Sequence, residues 1–317
     1  MLASGLYMNK YFLYYFFTAI LYATGVRAQD APSWGKQGTS ISLYSGYASQ
    51  DFRWSIAGNY QGQNPNIYSE LTWKDLHAAV AGATSAFTIH KRWSATVEAG
   101  SSFTFSGQVT DADYTGDNRT GRSYFGLFNS NKGISYWAGL KPFYSLVHKK
   151  NFHLLVFAGY GYQFQNLRIL ENAKDSSIIA SGLNSSYRTR MHGPLLGFKL
   201  GYQLAPRLAL SFVPEYGWLN YSGRADWNLV SNFKHPLSFE HRASGFEWKG
   251  RLQLSYKFDK DISAFVGFDH RRLEINGGDD LLYLSDGQVL RSHFNGAMGR
   301  CSTALLGLTV FIHCKRK

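Results

Sequence analysis

The chain is poor in cysteine: among 317 residues only Cys301 and Cys314 occur, the second in a Cys-Lys-Arg-Lys tail. A disulfide framework is excluded, and one bridge is allowed but not implied. Also missing are the Cys/His spacing of a zinc site, a glycine-rich phosphate loop and a Gly-x-Ser-x-Gly elbow, so no signature of those chemistries is present. Beyond the first 28 residues, no apolar run approaches the roughly 18 residues that mark a membrane-spanning helix, and helical spans are excluded. The basic residues are scattered, which together with export argues against a nucleic-acid partner.

What is present begins with an export signal. Lys10 precedes an apolar run from Phe12 to Val26, and Val26-Arg27-Ala28 offers the small residues that a signal peptidase reads, with Gln29 next. The run is 15 residues long, short of the roughly 20 a spanning helix needs, which favours removal over anchoring. Residues 1–28 are read as a signal peptide starting at Met1 or Met8, 29–39 as a short N-terminal segment, 40–313 as the folded unit and 314–317 as a basic tail. Losing the signal removes Lys10 and Arg27 and no acid, so 33 bases become 31 against 21 acids, a net charge of +10. That excess fits either scattered rim and lumen charges or contact with anionic lipid headgroups or another anionic ligand.

Aromatics make up 16% of the chain, and the apolar residues recur with period two. Phe152, Leu154, Val156, Ala158, Tyr160, Tyr162 and Phe164 share one face, opposed by His153, Gly159, Gly161 and Gln163. Trp93, Ala95, Val97, Ala99, Phe103 and Phe105 oppose Ser94, Thr96, Glu98, Gly100, Ser102 and Thr104 in the same way. Alternation by itself fits a soluble all-β domain or an outer-membrane barrel. Length decides: these segments far exceed the usual 5 or 6 residues of globular strands, whereas a tilted transmembrane strand needs about 9 to 11 merely to cross the hydrocarbon. Aromatics near the segment ends, such as Tyr160 and Tyr162 or Tyr216 and Trp218, fit interfacial girdles.

The connections alternate in length. His90-Lys91-Arg92, His148-Lys149-Lys150, Ala205-Pro206-Arg207 and Asp259-Lys260-Asp261 read as tight charged turns, while long polar stretches lie near 50–65, 108–132, 170–185, 225–244 and 276–296. Four short turns and five long loops predict a ten-stranded antiparallel up-and-down β-barrel of the bacterial outer membrane, one chain per barrel, with both termini at the periplasmic rim. Strands are expected at about 40–50, 66–89, 93–107, 133–147, 151–169, 186–204, 207–224, 245–258, 262–275 and 297–313, with a bulge near Asp75 and Leu76.

A ten-stranded lumen is narrow enough for side chains to fill, which moves function to the long loops. There Asp111 and Asp113 stand two apart, and on a continuing strand they point to one side, as a pair that holds and deprotonates a water must. The same Asp-x-Asp pattern also serves turns and cation contacts.

At these residues the chain resembles the omptins, the outer-membrane aspartyl proteases of Gram-negative bacteria. Similar segments occur in order: Ser69-Glu70-Leu71-Thr72-Trp73-Lys74, Asp111-Ala112-Asp113-Tyr114, Ala158-Gly159-Tyr160, Tyr187-Arg188-Thr189-Arg190-Met191 with Pro194-Leu195-Leu196-Gly197, and Tyr221-Ser222-Gly223. The resemblance implies an endopeptidase in which an Asp pair faces an Asp-x-His pair across the rim and a water between them attacks the peptide bond. Asp111 and Asp113 match the first pair. His235 falls where the family His would lie, with Phe233 in place of the Asp, and Asp226 is the carboxylate that could orient it. Glu240 and His241 are adjacent and so face opposite ways on a strand. The resemblance further implies a substrate-binding acid near Asp51, lipopolysaccharide as a required partner held by a wall residue such as Arg168, and a peptide or protein substrate. The competing expectations are a non-catalytic barrel with a structural, adhesive or ligand-binding role, motivated by Phe233, and a small channel.

Overall fold

A computed structural model of the protein describes residues 38–171 and 181–312. The export signal, the middle of the long connection near 170–185, and Cys314 with its basic tail lie outside the described residues. The described chain is a continuous antiparallel sheet of twelve strands: β1 (Thr39–Ile56), β2 (Ser69–His90), β3 (Trp93–Gly116), β4 (Thr120–Asn129), β5 (Gly133–His148), β6 (Phe152–Leu170), β7 (Asn184–Ala205), β8 (Leu208–Asp226), β9 (Phe239–Lys257), β10 (Ile262–Ile275), β11 (Gly278–Tyr283) and β12 (Val289–Ile312). Pairing of β1 with β12 closes the ring, so no edge is left for water or lipid to meet.

The twelve strands make ten staves. The lower part of β3 pairs with β5 and its upper part with β4, and β9 and β12 each pair with both β10 and β11. Each interrupted stave faces a glycine of positive φ on a neighbouring strand, Gly107 (φ 154) on β3 and Gly296 (φ 110) on β12. A Cβ on Gly107 would lie 2.4 Å from the Leu76 side chain, and one on Gly296 2.3 Å from the Ile275 carbonyl oxygen, so only glycine fits at either offset. Ser130 secures the first break: its N–H donates to Gly107 O (2.9 Å) and its hydroxyl to Arg168 O (2.6 Å). The expected bulge is present, with pairing between β1 and β2 shifting around Asp75 (φ 52).

Burial is inverted across the lower part of the ring. Leu43, Val97, Phe103, Leu140, Tyr160, Leu196, Leu252 and Phe268 are exposed on the outer wall, while Glu98, Lys141 and Glu215 are buried inside. Water tolerates no such continuous apolar belt, whereas lipid requires one. Inside the belt, Lys141 Nζ lies 2.8 Å from both Glu98 and Glu215, Lys249 lies 3.5 and 3.7 Å from the same two acids, and Arg251 grips Asp269 with two bonds of 2.7 Å. Three acids thus meet three bases in a layer across the lumen, with cavities of about 140 Å3 above it and 220 Å3 below.

Above the belt the apolar face turns inward. On β1 the outward Leu43 and Tyr47 give way to the inward Phe52 and Trp54, and on β6 the outward Tyr160 and Tyr162 give way to the inward Leu167 and Ile169. This corrects the sequence expectation for 108–132 and 276–296, which are not loops but mostly strand. β3 runs on to Gly116, β4 returns, and β11 and β12 form a second raised hairpin. Likewise β1 reaches Ile56, and β9 starts at Phe239 rather than near 245. Their outward residues meet water and are mostly polar, with Phe125, Val289 and Leu290 as exposed exceptions, which gave these stretches the composition of loops.

Two valines of equal exposure separate the two solvents. Val266 in the belt and Val289 at the raised hairpin are both 53% exposed. Val266→Arg should cost about 2–4 kcal/mol in vesicle-based unfolding titrations, and Val289→Arg no more than about 0.5 kcal/mol; equal costs would contradict the placement of the belt.

Candidate functional site

The raised part of the barrel has a core of its own. Phe52, Trp54, Leu71, Trp73, Val109, Phe128, Tyr187, Tyr221, Phe239 and Phe294 fill it from eight different strands. Set within it is one polar chain: Tyr221 Oη to Tyr187 Oη (2.7 Å), Tyr187 Oη to His241 Nδ1 (2.7 Å), His241 Nε2 to Asp280 Oδ1 (3.2 Å), and Ser292 Oγ donating to Asp280 Oδ2 (2.7 Å). Burial pushes both phenols up and keeps them protonated. His241 Nδ1 is hydrogen-bonded to the Tyr187 hydroxyl and that hydroxyl to Tyr221, whereas Nε2 lies near the Asp280 carboxylate without hydrogen-bond geometry. The His241 ring is enclosed by Trp54, with ring centres 4.8 Å apart, and by Phe294 at 4.3 Å.

Asp111 and Asp113 lie on the inward face of β3, across from Leu71 and Ser69 on β2. Asp111 sits over the apolar core, and burial, reinforced by the Asp113 charge, pushes it up to about 8. Asp113 is also raised by burial, an effect opposed by its hydrogen bond with Ser69. Gly126, opposite Asp111 on β4, leaves room for the Tyr124 hydroxyl, which lies 2.7 Å from where a Cβ would stand. The pair is therefore assembled on one side, near the Tyr124 phenol, which burial and the two carboxylate charges push up. Asp111 is neutral at pH 7 and can donate a proton as well as accept one.

The imidazole expected to face it is elsewhere. His235 Nδ1 does meet Asp226 Oδ1 at 2.8 Å, the pairing posed by the sequence. But Ala225 is buried inward at the end of β8, so Asp226 points outward, beside a groove of about 200 Å3 lined by Ser186, Arg188, Arg190, Ser222 and Arg224. The Asp226–His235 pair is on the outer wall and the Asp111–Asp113 pair on the inner wall, so the two are not brought together. The inward imidazole is His241, and Trp54 intervenes: it pairs with Leu71, which pairs with Asp111, while its ring packs on His241.

Asp51 also turns outward, accepting the Asp75 N–H (3.0 Å) and the Arg300 Nε–H (2.6 Å), so it supports the bulge and is not in a cleft. Arg168 is on the outer wall as well, donating to Asn184 O at 2.9 Å and to the Asn184 side chain. Glu240 faces away from His241, beneath Arg224 and Arg242. Sequence reasoning missed Asp280, since β11 lay inside a stretch read as loop. The signal for it was the apolar Leu281 and Leu282 beside two acids. Among the described residues no three His, Cys, Asp or Glu side chains are grouped to hold a metal ion.

A family model described as Pom, Protochlamydia outer membrane protein, matches residues 42–310. No curated protein matches the chain by sequence. Among solved structures, the outer membrane protease OmpT from Escherichia coli is similar with a TM-score of 0.70 at 13% identity, over 90% of this chain and 99% of that one. The outer membrane protein OprG from Pseudomonas aeruginosa gives a TM-score of 0.37 at 11% identity, over 88% and 99%. At 13% identity the likeness to OmpT is one of fold.

Asp111 should leave a signature in stability. Its folded pKa of about 8 lies above the ordinary value near 3.9, so between roughly pH 4 and 8 the native state holds a proton that the unfolded chain releases. Stability therefore falls with rising pH across that window, by up to about 1.4 kcal/mol per pH unit, and levels off above it. Comparing urea midpoints of wild type and Asp111→Asn over pH 4–9 isolates this slope; identical profiles would refute a buried, protonated Asp111.

Proposed function

The chain belongs to the Protochlamydia outer membrane protein family, and from that premise we propose that it is a non-catalytic outer-membrane barrel whose raised rim serves as a ligand-binding or adhesive surface. One observation carries the reading: the carboxylate pair Asp111–Asp113 and the Asp226–His235 pair occupy opposite faces of the wall. A water held by the first cannot be deprotonated by the second, since general base catalysis needs hydrogen-bond reach, directly or through one water. The aromatic core occupies the space in which a peptide would have to pass between β3 and β9. The rim meanwhile presents Tyr60, Tyr68, Phe125, Leu229 and Leu290 to solvent, side chains of the type that anchor protein and glycan partners.

A second reading, an omptin-like endopeptidase, is favoured by one specific feature. Asp111 and Asp113 share the inner face where the resemblance requires them, and Asp111 is protonated as a general acid would be. In that reading His241 replaces His235 and Asp280 is its orienting acid, and Trp54 must swing aside for substrate. In both readings outer-membrane lipid surrounds the belt, and lipopolysaccharide is the partner of the outer-wall arginines Arg168, Arg188 and Arg224.

Barrel refolded with lipopolysaccharide and incubated with a diverse peptide library rich in basic residues is expected to release no fragments above the rate without protein. Cleavage that disappears in Asp111→Ala or Asp113→Ala would establish the second reading in place of the first. In planar bilayers the ion layer and the aromatic core together should give no steady conductance, and a stable open level would overturn the closed lumen.

A further inference from the structure

The cavity of about 140 Å3 between the ion layer and the aromatic core contains charges that its own walls do not match. Lys249 is taken up by Glu98 and Glu215, and Arg251 by Asp269. Two lining charges of opposite sign are left over. Glu247, on the inner face of β9 next to the outward Trp248, has no hydrogen bond or ion pair among the described residues. Arg271, on the inner face of β10, donates to the neutral Gln163 side chain across the lumen and pairs with no carboxylate among the described residues. The two do not satisfy each other. Yet Glu247 stands opposite Leu273 and Arg271 opposite Lys249, which makes them diagonal neighbours about 7–8 Å apart on one face of the ladder. A third group belongs to the same row. Gln50 on β1 and Arg271 on β10 both stand opposite Cys301 on β12, and Gln50 Nε2 is a buried donor without a partner.

Register thus gathers Gln50, Arg271 and Glu247 at one side of the cavity, two sets of N–H donors beside one carboxylate. Unmatched charge inside low-dielectric walls is costly. A simple ion of either sign would match one of these charges and oppose the other, whereas a ligand that carries both signs matches both. The guanidinium fork suits a carboxylate, and the Glu247 carboxylate suits an ammonium. Size narrows the choice, since a cavity of about 150 Å3 takes a molecule of about six heavy atoms, such as benzene. We propose that this cavity is a binding site for a small zwitterionic amino acid, of the size of glycine, alanine or β-alanine, with its carboxylate on Arg271 and Gln50 and its ammonium on Glu247. Because the ion layer and the aromatic core close the cavity on both sides, the ligand is enclosed as the barrel forms and leaves only when one layer opens. The site lies below the rim and is independent of the surface proposed above.

The probes are radiolabelled glycine, alanine and β-alanine, each present while the mature barrel is refolded into non-ionic micelles and read as label retained after desalting. Saturable retention of at least one of them, reduced at least tenfold in Glu247→Gln and in Arg271→Gln, supports the site. The outer-wall variant Arg272→Gln is expected to retain the wild-type amount. On the wild type itself, excess unlabelled amino acid should block retention while ethanolamine and propionate, which carry one charge each, should not. That competition decides the matter where heat-modifiable gel mobility shows that a lumen variant has not folded. Retention of none of the three amino acids, retention that either folded lumen variant leaves unchanged, or blocking by ethanolamine or propionate alone overturns the proposal.

Discussion

The structure depends on one constraint: a single closed sheet crosses two solvents. In lipid the outer face must be apolar and the lumen takes the polar groups. In water the preference is reversed. A strand has only two faces, so the apolar residues must change parity where the sheet leaves the membrane. On β1 the change occurs between Tyr47 and Phe52, on β8 between Trp218 and Leu219, and on β6 between Phe164 and Leu167. On β2 and β3 the backbone shifts as well, through Asp75 and Gly107, whose positive φ values break the register. The girdle of Tyr160, Trp218 and Trp248 marks the same height from outside.

This change of parity also decides which groups can act together. A side chain near the top of a stave either faces the aromatic core or the water outside, and a displacement of one residue exchanges them. Asp111 and Asp113 fall on the inner parity of β3, and Asp226 on the outer parity of β8. No loop rearrangement confined to residues 227–238 moves Asp226 through the wall, because it is paired within the β7–β8 ladder opposite Ser186. His241 has the right parity but is held by the rings of Trp54, Phe239 and Phe294, by a hydrogen bond with Tyr187 and by the Asp280 carboxylate 3.2 Å away.

Much of the barrel was legible in the residues themselves. The ten staves, the four charged turns and the bulge at Asp75 follow from alternation and turn chemistry, because lipid enforces the outer pattern over each whole crossing. The raised hairpins were not legible in that way. Asp111, Asp113, Asp279 and Asp280 with their Ser, Thr and Gly neighbours have loop composition, and only the sparse inward set of Val109, Phe128, Asp280 and Phe294 reveals strands whose outer face is wet. The Asp226–His235 contact could be guessed from spacing, but its side of the wall could not, since that requires counting register from Ala225 inward.

Closure of the lumen sets where function can reside. Opening a passage at the ion layer separates Lys141 from Glu98 and Glu215, and breaking one buried pair typically costs about 3–5 kcal/mol. At 1.4 kcal/mol per factor of ten, that makes an open layer roughly a hundred- to several-thousand-fold rarer than the closed one. The aromatic core above would have to part at the same time, which lowers the population again. A through-path is thus disfavoured twice, by independent layers of opposite chemistry. Exchange with either compartment is confined to the two mouths and the outer wall, with an acid pair and an aromatic rim on one side of the membrane and the charged short turns on the other.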